Sequence, residues 1–150
     1  MTVFNPRFRR ILAAALLAVL PVACSMVAPP PTNSFVGAWS TGEKQQIAFR
    51  QETVVLSPPG QPPTPLSAET CSGKFRFAYS RQSRDALLAL TGRQADLRRR
   101  LTDILVQPEY PVAEVTCGEG GTTYVMVSDK ELVAIHHDLD IAGMERWSRS

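Results

Sequence analysis

The chain of 150 residues carries 16 Lys and Arg against 14 Asp and Glu, a nominal net charge of +2. Arg7, Arg9 and Arg10 lie in a leader without acidic residues, so the part beyond it carries about −1 and basic character argues nothing about nucleic acid. The length suits one small domain beyond that leader, at a size where an added covalent constraint is common.

The leader runs Arg7-Phe8-Arg9-Arg10, then an apolar stretch from Ile11 to Leu20, then Pro21-Val22-Ala23-Cys24-Ser25. A bilayer-spanning helix needs about 20 apolar residues, and this run is shorter, so residues 1–23 read as a removed export signal. Basic residues, a short apolar core and small residues ahead of a cysteine resemble a bacterial lipoprotein signal peptide. That resemblance implies lipid attachment, such as palmitate, at Cys24. Val22 and Ala23 suit the two positions before it, while Pro21 stands where leucine is usual. A slipped box, or ordinary cleavage after Ser25, leaves a soluble periplasmic protein as the alternative. Ser25 follows the cysteine instead of the Asp that retains lipoproteins in the inner membrane. The resemblance therefore implies an outer membrane lipoprotein facing the periplasm.

Residues 24–34 include Pro29-Pro30-Pro31-Thr32-Asn33-Ser34, a composition that reads as a polyproline tether or, more plainly, as a disordered start. At about 3 Å per residue such a tether holds the folded part roughly 30 Å from the lipid surface. Residues 35–150 then read as a single β-rich domain. Phe35 to Ser40, Gln46 to Arg50 and Thr53 to Leu56 are short β-prone runs. Ser57 to Pro65 is too rich in proline for a central strand and reads as a surface loop. From Ala68 to Tyr79, Cys71, Phe75, Phe77 and Tyr79 fall on one side, predicting a strand or bent strand pair broken at Ser72-Gly73.

With Cys24 assigned to lipid, Cys71 and Cys117 remain, an even number, so a disulfide in an oxidising compartment is the default. Each follows a threonine and sits near glycine, which suggests two facing strand ends. Metal binding by the pair lacks both a CxxC spacing and a nearby histidine.

The period then changes to helical. Ser83 to Leu90 is helix-forming, Thr91 to Gln94 has the pattern of a capping box with Thr91 as cap, and Leu97, Leu101, Ile104 and Leu105 form a stripe. Helices over about 83–106 follow, either two bent at Gly92 or one with a kink. Arg98, Arg99 and Arg100 cannot share one helix face and read as its solvated flank. Pro108 closes the helical part. Val112 to Cys117, Thr122 to Ser128 and Glu131 to His136 predict an antiparallel meander with turns at Gly118 to Gly121 and Ser128 to Lys130, and Met144 to Ser148 a last strand. The sum is an α+β chain, mostly antiparallel sheet or a small barrel with a mid-chain helical insertion.

Gly37-Ala38-Trp39 looks like the G-x-W of lipocalins and other calycins. In that family a first-strand tryptophan closes the barrel bottom beneath an arginine from near the C-terminus. Carried onto this chain, the resemblance gives the closure to Gly37, Trp39 and Arg146, with Arg149 as the other arginine flanking Trp147. The mid-chain helix departs from the lipocalin order, so a half barrel or smaller calycin-like barrel fits better, similar to small exported protease inhibitors among bacterial lipoproteins.

The remaining signals favour no catalytic chemistry. His136 and His137 point to opposite faces if they lie in a strand, so one metal cannot easily take both. Asp138-x-Asp140 fails as a calcium loop because Ala142 and Arg149 occupy ligand positions. No serine stands in a nucleophile motif, and the glycine run after Cys117 lacks the helix and lysine of a phosphate loop. The expectation is a non-enzymatic envelope lipoprotein, without metal or cofactor, that binds a periplasmic protein or inhibits a hydrolase. The alternative is a calycin-like carrier of a small apolar ligand, lined by some of Phe75, Phe77, Tyr79, Tyr124 and Met126.

Overall fold

The computed structural model describes residues 32–137 and 142–150. The leader, Cys24 and the acidic turn at Asp138 and Asp140 lie outside them. Helical turn α1 (Thr32–Phe35) leads into β1 (Gly37–Ser40), β2 (Gln46–Phe49), β3 (Val54–Ser57) and β4 (Thr64–Pro65). Strand β5 (Phe75–Ser83) precedes α2 (Arg84–Ala89) and α3 (Ala95–Ile104). Then come β6 (Glu109–Cys117), β7 (Gly120–Ser128), β8 (Glu131–His137) and β9 (Ala142–Arg149).

These strands form one antiparallel sheet in the order β4-β3-β2-β1-β9-β8-β7-β6-β5. The first strand therefore lies beside the last. β4 and β5 end the sheet without pairing with each other, so it curls into a half barrel. The curl is held across the open side by aromatic rings, with Phe49 stacked 6.1 Å from Phe77 and Phe35 5.5 Å from Tyr79. The Tyr79 hydroxyl also donates to the Arg50 carbonyl at 2.7 Å, tying β5 to the turn after β2.

Alternation along the strands gives each face its own core. The concave face buries Phe35, Trp39, Ile47, Phe49, Val54, Val115, Tyr124, Leu132 and Trp147. On the convex face, Val112, Val125, Val133 and Ile135 receive Leu87 and Leu88 of α2 and Leu97, Leu101 and Leu105 from α3 and its end. β6 to β8 are thus covered on both sides, which explains their dense Val, Ile and Ala content.

Several local expectations are corrected. Phe35 ends α1 instead of opening β1. Residues 68–74 form turns rather than strand, and the strand runs on to Ser83. There Ser83 caps α2 by accepting from the Ala86 amide. Thr91 is not a cap, because its hydroxyl turns back to donate to the Leu88 carbonyl at 2.7 Å; α3 starts after Gln94. Gly92, at φ +55°, separates the two helices. Pro65 sits in a two-residue edge strand, a position that needs no amide donor on its outer side.

Cys71 and Cys117 form a disulfide with Cα atoms 4.7 Å apart. It ties the turns before β5 to the end of β6. A disulfide of this kind belongs to an oxidising, exported compartment. No described helix is long and apolar enough to cross a membrane.

Candidate functional site

Two features lie on the concave face. At the end where β1 meets β9, Trp39 is fully buried and its indole N–H donates to the Phe35 carbonyl at 3.0 Å. The Arg149 guanidinium carbon lies 4.2 Å from the Trp39 ring centroid. Nη2 donates to Ser34, Nη1 to Val36 and Nε to Asp129, all backbone carbonyls. Gly37 has φ +135°, and a Cβ there would come within 3.0 Å of Arg149 Nη1, so glycine serves both backbone and arginine.

The cation over the tryptophan is Arg149 and not Arg146. Alternation decides this: Arg149 shares its face with Trp147, two residues away, whereas Arg146 points to the other face. There Arg146 pairs with Glu131 at 2.5 Å, an exposed ion pair.

A cleft opens between β2–β3 and the β6–β8 hairpins. Its volume is about 280 Å³, and Ile47, Leu56, Leu66, Val115, Thr122 and His136 are among its walls. Cys117 and the backbone of Gly120 and Gly121 complete the β6–β7 end, so the disulfide borders the cleft. Tyr124 forms part of the lining and packs edge-on against Phe49 and Trp147.

Thr122 and His136 give this cleft a polar side, with Glu145 next to the imidazole. The Thr122 hydroxyl lies 3.0 Å from His136 Nδ1, and His136 Nε2 lies 3.6 Å from a Glu145 carboxylate oxygen. Register brings them together: Thr122 pairs with His136 across β7–β8, while Glu145 and Tyr124 both pair with Ala134. Alanine between them leaves Glu145 and Tyr124 with little separating bulk. Burial, and secondarily the Glu145 charge, push the Tyr124 hydroxyl well above the ordinary phenol range. It is therefore a neutral phenol at physiological pH.

A hydroxyl, an imidazole and a carboxylate in sequence have the outline of a nucleophilic triad, here set within a continuous sheet. β7 is central, so Thr122 sits between Val115 and His136 in two ladders. The amides next to Thr122 therefore belong to strand ladders.

The adjacent histidines face opposite ways, as strand alternation predicts. His137 lies on the convex side, where Nε2 is 3.1 Å from the buried Thr123 hydroxyl and the ring lies over Gly121. No group of three or more His, Cys, Asp or Glu suited to a metal ion occurs among the described residues. Phe75, Phe77 and Tyr79 pack half-buried against the concave core. The Pro58 to Pro63 loop is separate from the cleft.

Sequence reasoning overlooked Glu145 and Thr122. Parity contained the signal, since Glu145 stands two residues before Trp147 and Thr122 two before Tyr124, placing all four on one face. Register between strands was the missing quantity. No protein family, curated protein or solved structure matches the chain.

Proposed function

We propose that the protein is a non-enzymatic bacterial envelope lipoprotein whose half barrel binds a periplasmic protein partner, as an inhibitor of a hydrolase would. Lipid on Cys24 anchors it to the outer membrane, and the proline-rich segment spaces the domain from that surface. The observation that carries this reading is the open cleft of an unclosed sheet. At about 280 Å³ it falls below the usual range of about 300–1,000 Å³ for small-molecule pockets. It is open to an incoming side chain.

A calycin-like carrier is the second reading, favoured by the apolar walls from Ile47, Leu56, Leu66 and Val115. Enclosure counts against it, because the interior beyond the cleft is filled by Phe49, Phe77, Tyr124 and Trp147. Affinity capture with the tagged chain from envelope extract separates the two. A protein that co-purifies stoichiometrically and is released by competing untagged chain supports the first reading. A lipid or small molecule with no protein overturns it in favour of the carrier.

A further inference from the structure

The cleft has an apolar and a polar side. Its walls at Ile47, Leu56, Leu66 and Val115 are apolar, its polar side carries Thr122 and the His136 imidazole, and the Glu145 carboxylate lies next to that imidazole, 3.6 Å from Nε2. We propose that this cleft receives a basic side chain, lysine or arginine, of the protein partner, its methylenes against the apolar walls and its cationic head at Glu145 and His136. This rests on the partner-binding reading above.

Charge complementarity selects the occupant. Four other carboxylates in ion pairs, Asp96, Glu109, Glu119 and Glu131, are matched by arginine or lysine: Arg99, Arg81, Lys74 and Arg146. Glu145 differs. Among the described residues its ion-pair partner is His136, and the separation of 3.6 Å is longer than a hydrogen bond. Its side chain is 30 % exposed, so it is neither satisfied by a strong cation nor dispersed in bulk water.

The imidazole adds a second acceptor. With a cation between it and Glu145, the ring can take the tautomer in which Nδ1–H donates to the Thr122 hydroxyl and Nε2 offers its lone pair. An ammonium or guanidinium then finds a carboxylate and a neutral nitrogen together, and a stem of three or four methylenes suits the apolar approach. An anionic head meets Glu145 repulsively, and a wholly apolar one leaves the carboxylate desolvated without a partner.

Titration of the full-length protein in detergent micelles with N-acetyl-lysine methylamide, N-acetyl-arginine methylamide and N-acetyl-norleucine methylamide tests this, followed by the His136 and Thr122 resonances. Saturable shifts with a basic compound, at least about tenfold tighter than with norleucine, are expected from a charge-assisted contact. Glu145→Gln should erase that preference while retaining the melting temperature. Equal binding of norleucine, no binding of either basic compound, or an unchanged preference in E145Q overturns the assignment. Envelope capture distinguishes the two levels. If E145Q still captures the wild-type partner with equal strength, partner binding stands and the basic-side-chain assignment falls. If the wild type captures no protein, the partner reading falls, and the titration alone decides the selectivity of the cleft.

Discussion

Arg149 and Trp39 form a clamp in which one guanidinium covers an indole and holds the chain on both sides of it. The ring-to-cation distance is 4.2 Å, and two of the three carbonyls that accept from Arg149 belong to Ser34 and Val36, just before β1. Arg149→Ala should destabilise the fold by about 2 kcal/mol, combining the cation–π contact with lost charged hydrogen bonds on a partly exposed group. Arg149→Lys keeps the charge but not the fork and should lose about half of that. Arg146→Ala, removing an exposed ion pair, should cost under about 1 kcal/mol. Urea unfolding of the three variants checks the ranking, and equal losses for R146A and R149A contradict it.

Reduction provides a second test. Cys71 and Cys117 are separated by 46 residues, and closing a loop of that size stabilises a fold by about 4 kcal/mol in the chain-entropy account. Thiol labelling under denaturing, non-reducing conditions should leave both cysteines unreactive. Dithiothreitol should then lower the urea midpoint of the wild type but not of a Cys71→Ala, Cys117→Ala double variant.

Gly121 is expected to tolerate no side chain while His137 is present. A Cβ at this position would lie 2.5 Å from the His137 ring, which the Thr123 hydroxyl holds in place. Gly121→Ala should cost about 1–3 kcal/mol through overpacking. Adding His137→Ala should recover part of that loss. A double-mutant cycle showing additive effects contradicts the steric account.

Alkaline pH should weaken the domain through Tyr79. Burial raises its hydroxyl from 10.0 to about 12. Between those values the unfolded chain has released a proton that the folded chain keeps, so stability present below pH 10 is lost as pH rises toward 12. Tyr124 acts in the same direction, by burial and by the Glu145 charge. The melting temperature of Tyr79→Phe should fall less steeply than that of the wild type across this interval. Parallel curves contradict the prediction.

Legibility followed the range of the forces concerned. The antiparallel strands, the helical excursion and the Cys71–Cys117 pairing rest on period, turn chemistry and cysteine parity, all local or countable in sequence. Thr91 shows where local pattern misleads. Its capping-box spacing was sound, but burial turned the hydroxyl back to Leu88 and left Gln94 to begin α3. Choosing between Arg146 and Arg149 needed the face on which Trp147 lies. The Thr122, His136 and Glu145 constellation needed register across three strands, β7 to β9, which no single segment encodes.

Arg149 of the clamp and the His136 side of the cleft lie toward opposite ends of β9, while Ile47, which pairs with Trp39, joins the two as a cleft wall. At about 3.3 Å per residue, the stretch of β9 from Gly143, which pairs with His136, to Arg149 spans about 20 Å. Arg149 grips the chain at Ser34, so whatever pulls on the segment before the domain loads the clamp. Tension on the N-terminal segment therefore meets the Arg149 guanidinium directly.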